Sequence, residues 1–528
     1  MTGAQEPRPA TLRWVRYGGL AGAVLLALVA WRGGVLPGPP PASTPGTIWR
    51  GPYGPWILIG WFAGTAALTV AWWSLRRSVP SLRWAYVTAG LWLVPLLLAP
   101  PLGSRDLYSY ACQGAVFSGG GDLYGAGVAE LGCPWVESVA LLWRDTPTPY
   151  GPVFLLLAGL AATLGGSLTG TLLLLRGTAL AAVVLIAVCL PGLARYGGVP
   201  PRRAVWLVLA CPLVSVHLIS GAHNDALMIA LVAAGLLVSL SAARRSGGAA
   251  GTVTRFADVG GTARFAAVGV TARLAAAGVL LGCAVAVKAT ALVALPFAML
   301  APALAAGAAG VRVSGAGDGG AGPGRWWAGQ WWTGRWWAGA GVVLAGAVAA
   351  LAAASALAGL GLGWVGALGG SDDLTQWTSP PTAVGFVVNY IGQTVVPGLD
   401  AVPWTRAAAL VLLALFLVGC WLRTLRRLRA GAGAEVLLWG VALAMTATVA
   451  CAPVVYPWYL VWPLVLLAVV AHRTTALLVV CTVAAFLLLP DSTNLARFAK
   501  APGAIVVTLV LAVLLGRLLR QRRASRRA

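Results

Sequence analysis

Long apolar runs, separated by short clusters of arginine, aromatic and proline residues, follow one another along the whole chain. Runs such as AGAVLLALVA and ALMIALVAAGLLVSLSA are, with their flanks, long enough to cross a bilayer as helices. The pattern therefore predicts an all-α polytopic membrane protein: a bundle of about 13–14 transmembrane helices, joined on the outer face by loops that carry short helices.

The predicted spans are residues 17–36, 53–75, 84–102, 171–194, 203–220, 225–243, 274–290, 291–309, 338–362, 405–422, 433–452, 456–471, 474–490 and 503–520. The run 151–166 is shorter and begins among prolines (Pro149 and Pro152), so it is predicted to be a half-helix in the outer leaflet.

Composition supports the membrane assignment. The chain has 528 residues, of which 59% are hydrophobic and 10% charged, and its mean hydropathy is +0.84. A soluble protein of this size has too little interior to hide that much apolar surface. The net charge of +23 would suit a nucleic-acid partner. Most arginines, however, stand at the ends of apolar runs, so we expect a lipid bilayer as partner and no nucleic acid.

The arginine clusters also predict the topology, because basic residues concentrate on the cytoplasmic side of membrane proteins. Residues 1–16 are a predicted cytoplasmic tail before a retained first span, 17–520 the transmembrane domain and 521–528 a basic cytoplasmic tail. Segments 244–273 and 310–337 are predicted low-complexity cytoplasmic loops, and 103–150 the first large extracytoplasmic loop. The outer face is acidic and aromatic, so a site is expected there. We expect the protein to lie in the plasma membrane, with both termini in the cytoplasm.

The stretch SRDLYSYACQG, residues 104–114, places a carboxylate at the edge of a span. Ser104 is a suitable cap for a helix that carries Asp106 in its first turn, where the helix dipole favours negative charge. On that helix four polar residues share one face: Asp106, Ser109, Tyr110 and Gln113. An ionised aspartate there can accept a proton from a hydroxyl. The alternative is that Asp106 only caps the helix or pairs with Arg105.

The rest of this loop is rich in aromatic residues and turns, including Tyr124, Trp135, Trp143 and Tyr150. Aromatic faces and short polar groups suit sugar rings, although an interfacial aromatic belt has the same composition. The eight cysteines form no CxxC pair, so no metal site is expected. Cys112 and Cys133 share the predicted outer loop, where a disulfide is possible in an oxidising compartment.

Two later segments carry isolated polar groups. In SGAHNDALM, the residues His223, Asn224 and Asp225 suit a phosphate or sugar site, and the alternative is a capped helix start. Lys288 stands between apolar runs, where an ionisable group is by default a functional candidate. Its alternative role is to reach the outer headgroups. The segment YPWYLVWPL adds Tyr456, Trp458 and Tyr459, as a substrate groove or as an aromatic belt.

These motifs together resemble a known family. SRDLYSYACQG, PYGP, SGAHNDALM, KATALVALPF and YPWYLVWPL, in this order, are similar to the polyprenol-phosphate-mannose-dependent α-1,6-mannosyltransferases of actinobacteria (MptA/MptB type), which are GT-C membrane glycosyltransferases. The resemblance implies a GT-C-like helical enzyme with an outward-facing site. It implies a polyprenyl-phosphate-mannose donor, a lipid-linked mannan acceptor and no cofactor or metal.

The resemblance also implies roles for residues. Asp106 is the expected catalytic base for an inverting transfer. The candidates for donor-phosphate binding are Arg105, Arg144, His223 and Lys288. The candidates for substrate binding are Tyr108, Tyr110, Gln113, Tyr150, Asn224, Asp225, Tyr456, Trp458 and Tyr459. The alternative function is a transporter or flippase of a polyprenyl-linked lipid, but the chain shows no inverted repeat and concentrates its polar groups in outer loops.

Overall fold

The computed structural model describes residues 8–41, 44–253, 260–304, 334–367 and 374–527. These residues form helices joined by loops, with one isolated β-bridge between Leu488 and Asn494. The α-helices are Pro9–Gly33, Pro45–Arg50, Gly54–Ser74, Leu82–Leu98, Asp106–Ser118, Pro152–Gly165, Leu168–Gly197, Pro201–Leu209, Asp225–Val253, Gly260–Val287, Leu295–Ala298, Gly334–Ala358, Gly363–Ala367, Pro380–Gly392, Val402–Arg429, Ala434–Cys451, Val461–Ala468, Thr475–Ala485 and Lys500–Arg527. Short 3-10 helices are Val136–Ser138, Leu141–Trp143, Ala289–Ala294, Pro457–Leu460 and Leu495–Ala499, and Val214–Ser220 is a π-helix.

The all-α polytopic membrane fold predicted from the sequence is confirmed. Among the described residues, nine helices are long and apolar enough to cross a membrane, or ten if a bent pair is one span. That number is below the predicted fourteen. The predicted spans 84–102, 291–309, 456–471 and 474–490 become helices of at most 17 residues, and 203–220 breaks into two helices bent by 67°. Prolines such as Pro212, Pro296 and Pro463 lie within these segments and interrupt helices, which an apolar run alone does not reveal. The run 151–166 forms the 14-residue helix Pro152–Gly165, shorter than a span.

Some predicted loops and tails are helical. The helix that starts at Asp225 continues to Val253, and the next begins at Gly260, so the described parts of 244–273 are helix and not loop. The first helix begins at Pro9, inside the predicted tail, and the last runs to Arg527. Residues 310–333 of the other predicted loop lie outside the described residues.

Three close contacts position the outer loop. Gly114 lets the helix Asp106–Ser118 pack on Pro152–Gly165, because a Cβ at this position would lie 2.2 Å from the carbonyl oxygen of Ala158. Gly151 similarly allows contact with Ala286 at the end of the helix Gly260–Val287. The buried Arg176 donates hydrogen bonds to the carbonyls of Leu96 and Ala99, which satisfies the end of the helix before Pro100. These contacts therefore hold the backbone that leads into the Asp106 helix in one position.

Candidate active site

Asp106 begins a helix, as the sequence predicted. The hydroxyl of Ser104 accepts a hydrogen bond from the Asp106 backbone N–H at 3.1 Å, although Arg105 occupies the cap position itself. The Asp106 carboxylate makes no hydrogen bond with the described residues, and its side chain is 11% exposed. It forms no ion pair with Arg105, so the alternative interpretation of Asp106 as a partner of Arg105 does not describe this structure.

The polar face of the Asp106 helix borders a cavity. Asp106, Ser109 and Gln113 form one wall, as their helical spacing predicted. The opposite wall comes from the segment 143–150, with Trp143, Thr146, Pro147, Thr148, Pro149 and Tyr150. Tyr110 lies deeper, where its ring packs edge-on against Tyr150 and Phe154. The cavity therefore brings hydroxyls and aromatic rings to the Asp106 carboxylate.

His223 is the basic side chain in contact with Asp106. Its Nδ1 lies 3.4 Å from Asp106 Oδ2, close enough for electrostatic attraction but without the geometry of a hydrogen bond. The imidazole is fully buried and stacks on Trp458, which in turn stacks on Tyr456. Ala222, just before it, has φ of +48°, a left-handed conformation that strains a non-glycine residue and often marks a functional site.

A second carboxylate, that of Asp225, is held tightly. Its Oδ1 accepts hydrogen bonds from Lys288 Nζ at 2.8 Å and from Trp462 Nε1 at 2.7 Å. The Lys288 ammonium also lies over the rings of Tyr459 and Trp462, at 4.4 Å and 5.0 Å from their centroids. The two non-functional interpretations, a helix cap for Asp225 and contact with the outer headgroups for Lys288, therefore do not describe these residues. Asp225 receives side-chain donors in place of capping its helix, and Lys288 turns inward in place of reaching for headgroups.

Tyr150 connects the two carboxylates. Burial raises the pKa of its phenol well above the usual value, and the charge on Asp106 raises it further, with a smaller contribution from Asp225. The hydroxyl is therefore neutral and able to donate a hydrogen bond at any physiological pH. Lys288 Nζ lies 6.0 Å from the centroid of the same ring, so Tyr150 borders both the cavity and the Asp225 cluster.

Several buried polar atoms around these carboxylates have no hydrogen-bond partner among the described residues. They are Ser109 Oγ, Gln113 Oε1, His217 Nδ1, both ring nitrogens of His223, both amide atoms of Asn224, and Asp225 Oδ2. Buried polar groups are normally paired, and each exception costs about 1–3 kcal/mol. Their concentration in one place indicates a site arranged to bind polar groups from outside the chain.

Other predicted site residues have different contacts. Arg105 Nη1 donates to the carbonyls of Gly38 and Ser138, and burial lowers the pKa of the guanidinium. Arg144 bonds the carbonyls of Val139 and Glu137, so both arginines brace the outer loop.

Tyr108 points away from the cavity. Its hydroxyl donates to the carbonyl of Val35 at 2.8 Å. The helix Asp106–Ser118 therefore presents one polar face to the cavity and uses another to hold the loop that follows the first span. Phosphate binding by the two arginines and substrate binding by Tyr108 stay predictions, without support from these contacts.

The structure joins Cys112 and Cys133 in a disulfide, with their Cα atoms 5.4 Å apart. This bond ties the Asp106 helix to the segment that leads to the cavity wall. Trp143 and Trp462 were not among the residues with an assigned site role, although both belong to aromatic segments that suit a sugar or lipid groove. Their positions in motifs with other candidate residues could have indicated a site role, but an interfacial aromatic belt accounts for the same pattern.

The fold and this arrangement define a polytopic helical membrane protein with a buried, carboxylate-bearing polar site at one end of its helices. Comparison with known sequences identifies the family. The model of the alpha-(1→6)-mannopyranosyltransferase N-terminal domain matches residues 16–304, and that of the MptB C-terminal domain matches residues 381–520. The chain belongs to the alpha-(1→6)-mannopyranosyltransferase family, whose members are mannosyltransferases.

Individual relatives agree. An alpha-(1→6)-mannopyranosyltransferase of Mycobacterium tuberculosis is 31% identical over 457 residues, which cover 81% of this chain and 74% of the relative. The alpha-(1→6)-mannopyranosyltransferase A of the same organism is 29% identical and covers 79% and 72%, and the B enzyme of Corynebacterium glutamicum is 28% identical and covers 89% and 75%. No solved structure matches the chain.

Proposed function

We propose that the protein transfers mannose from a polyprenyl-phosphate-mannose donor to a growing α-1,6-mannan acceptor of a lipoglycan, with inversion at the anomeric carbon. The named relatives support mannosyl transfer. The observation that supports the location of the chemistry is the cluster of unpaired buried polar atoms around Asp106 and Asp225.

Asp106 is the proposed general base. It accepts the proton of the acceptor hydroxyl while that oxygen bonds to the anomeric carbon of the donor. The bond from this carbon to the donor phosphate breaks at the same time, and polyprenyl phosphate leaves. An uncommitted carboxylate suits this role, and the Asp106 carboxylate accepts no hydrogen bond from the described residues. His223, at 3.4 Å, keeps the carboxylate oriented.

Lys288 is the proposed ligand of the departing phosphate. An ammonium has three donors, so Lys288 can keep one hydrogen bond to Asp225 and direct others toward the phosphate. A cation fixed in a buried site stabilises developing negative charge more strongly than one in water. Asp225 and Trp462 then position the lysine, and the rings of Tyr459 and Trp462 line its approach.

The cavity beside Asp106 is the proposed acceptor site. Trp143 and Tyr150 offer ring faces to a sugar, and Thr146 and Thr148 offer hydroxyls. The cavity measures about 20 Å³, which is room for about one water molecule. A pyranose therefore requires the segment 143–149 to move outward, and we expect this loop to open and close during turnover.

The same proposal gives the membrane arrangement: a plasma-membrane protein with cytoplasmic termini and an extracytoplasmic site. Two observations support it. Arginine clusters concentrate at the helix ends opposite the Asp106 loop. The disulfide between Cys112 and Cys133 suits an oxidising compartment.

The test uses the purified chain in proteoliposomes, with labelled polyprenyl-phosphate-mannose and a short α-1,6-mannoside acceptor. We expect the label in an elongated oligosaccharide whose new bond is cleaved by an α-1,6-specific mannosidase. Movement of labelled donor across the bilayer with no glycan product would support a transporter and contradict the proposal.

A further inference from the structure

A basic cleft lies between the helices Val402–Arg429 and Ala434–Cys451, at the opposite end of the molecule from Asp106. The second helix ends at Cys451, and the chain then runs directly to Trp458, which stacks on His223. The residues of this helix that line the cleft run from Val436 to Leu443, about 12–22 Å from its end at 1.5 Å per residue. The cleft is therefore separate from the candidate active site.

Two arginines form the mouth of the cleft. Arg423 and Arg427 are four residues apart, so their side chains share one face of their helix. Both are exposed, and neither forms an ion pair within the described part of the chain. The nearby Glu435 instead accepts a hydrogen bond from the Gly433 backbone N–H through its Oε1. Like charges at this spacing repel one another, so a shared anion would stabilise the pair.

The cleft extends from the arginines onto apolar surface and has a volume of about 220 Å³. Gly440 lets the helices beside the cleft pack closely, because a Cβ there would lie 2.4 Å from Thr424 Oγ1 and 2.8 Å from Phe297 Cε1. Trp439 and Leu443 continue one wall and are 36% and 40% exposed. A charged mouth above an exposed apolar wall matches a lipid, with its headgroup on the arginines and an acyl chain along the wall.

We propose that this cleft binds the phosphate headgroup of an anionic phospholipid, in the leaflet opposite the Asp106 site. Guanidinium groups bind phosphate oxygens through paired, charge-assisted hydrogen bonds. Basic pockets between transmembrane helices recognise lipid headgroups on this principle, and tryptophan is favoured at the same depth. An isolated solvated arginine pair needs no cavity, so the cleft itself distinguishes a lipid site from ordinary charge bias at helix ends.

The test is native mass spectrometry of the full chain titrated with phosphatidylglycerol or with phosphatidylcholine. We expect the wild type to retain one phosphatidylglycerol that the variant R423Q/R427Q binds at least about tenfold more weakly. The matched control R426Q/R517Q removes two exposed arginines outside the cleft, and we expect it to bind like the wild type. Equal melting temperatures in lipid-free detergent check that each variant folds.

Three results with these lipids and variants would overturn the proposal: equal retention by R423Q/R427Q, equal retention of phosphatidylcholine, or equal loss in the control pair. Inorganic phosphate is added as a competitor. If it displaces the lipid at equal concentration, free phosphate binds at least as tightly as the lipid and the lipid assignment is wrong.

Discussion

Asp106 and Asp225 are two buried carboxylates at helix starts in the same site, and their surroundings differ. Asp225 has a side chain 1% exposed and accepts hydrogen bonds from Lys288 and Trp462. Asp106 is 11% exposed and borders a cavity, and its one ion-pair contact among the described residues is with the imidazole of His223. A carboxylate paired with an ammonium and an indole N–H is a weaker proton acceptor but a good anchor. We therefore propose that Asp225 positions Lys288 and that Asp106 accepts the proton.

The largest expected effect comes from breaking the Asp225 anchor. Lys288→Met leaves a buried carboxylate without its cation, which costs about 3–5 kcal/mol of folding free energy. We expect a strongly lowered melting temperature in detergent. The double variant D225N/K288M removes both charges and should recover most of that stability.

The double variant also separates anchoring from catalysis. If Lys288 binds the donor phosphate, D225N/K288M folds but still transfers mannose poorly. Recovery of near wild-type transfer in the double variant would show that Lys288 has only a structural role.

The next largest effect is expected from removing the disulfide that holds the Asp106 helix. Replacing Cys112 and Cys133 together by alanine opens a loop between positions 21 residues apart in sequence. Loop-closure entropy predicts a loss of about 3 kcal/mol. We expect a lower melting temperature and a lower transfer rate, with the pairing of Lys288 and Asp225 unaffected. The control is wild-type protein reduced with dithiothreitol, which should behave like the variant, whereas a reductant effect on the alanine variant itself would contradict the prediction.

A smaller effect is expected from Gly114→Ala, which pushes the Asp106 helix away from Ala158. Overpacking at such a contact costs about 1–3 kcal/mol. We expect reduced transfer with donor binding retained, because the displaced helix carries the base and not the Lys288 cluster. The control, Gly177→Ala, adds a methyl group to a helix position with nothing within 4 Å. Equal behaviour of the two variants would show that the Gly114 contact does not position Asp106.

The smallest effect is expected at the cavity wall. Trp143→Ala removes one ring face beside Asp106. An aromatic contact contributes about 0.5–1.5 kcal/mol, so the KM for the acceptor should rise up to about tenfold with little change in the KM for the donor. The measurement is initial-rate kinetics with each substrate varied in turn. A rise confined to the donor KM would place the acceptor elsewhere.

Sequence reasoning predicted the helical membrane fold and the polar face of the Asp106 helix better than it predicted the contacts between distant side chains. Apolar runs and helical spacing are local, so the face with Asp106, Ser109 and Gln113 was predictable. The pairing of Asp225 with Lys288 joins residues 63 apart, and Trp462 lies 237 positions from Asp225. Such contacts depend on how helices pack, which local patterns do not contain.

The number of spans shows the same limit. Apolar length predicted a continuous span over 203–220, but the chain bends there by 67° and continues as a π-helix that leads into His223. The bend brings the strained Ala222 and its neighbours under the Asp106 helix. The candidate site therefore depends on a broken helix, and hydropathy alone does not distinguish a broken helix from a continuous one.

The most direct test of the account compares purified Asp106→Asn with wild type in both donor binding and mannosyl transfer. The control is Asp122→Asn, which changes another carboxylate of the same loop, one whose Oδ1 accepts the Tyr124 backbone N–H. We expect Asp106→Asn to bind polyprenyl-phosphate-mannose like the wild type but to transfer mannose about 10²–10⁴-fold more slowly, because it lacks the base. The control should stay close to wild type. Transfer by Asp106→Asn within a few-fold of wild type would contradict the assignment of Asp106 as the base.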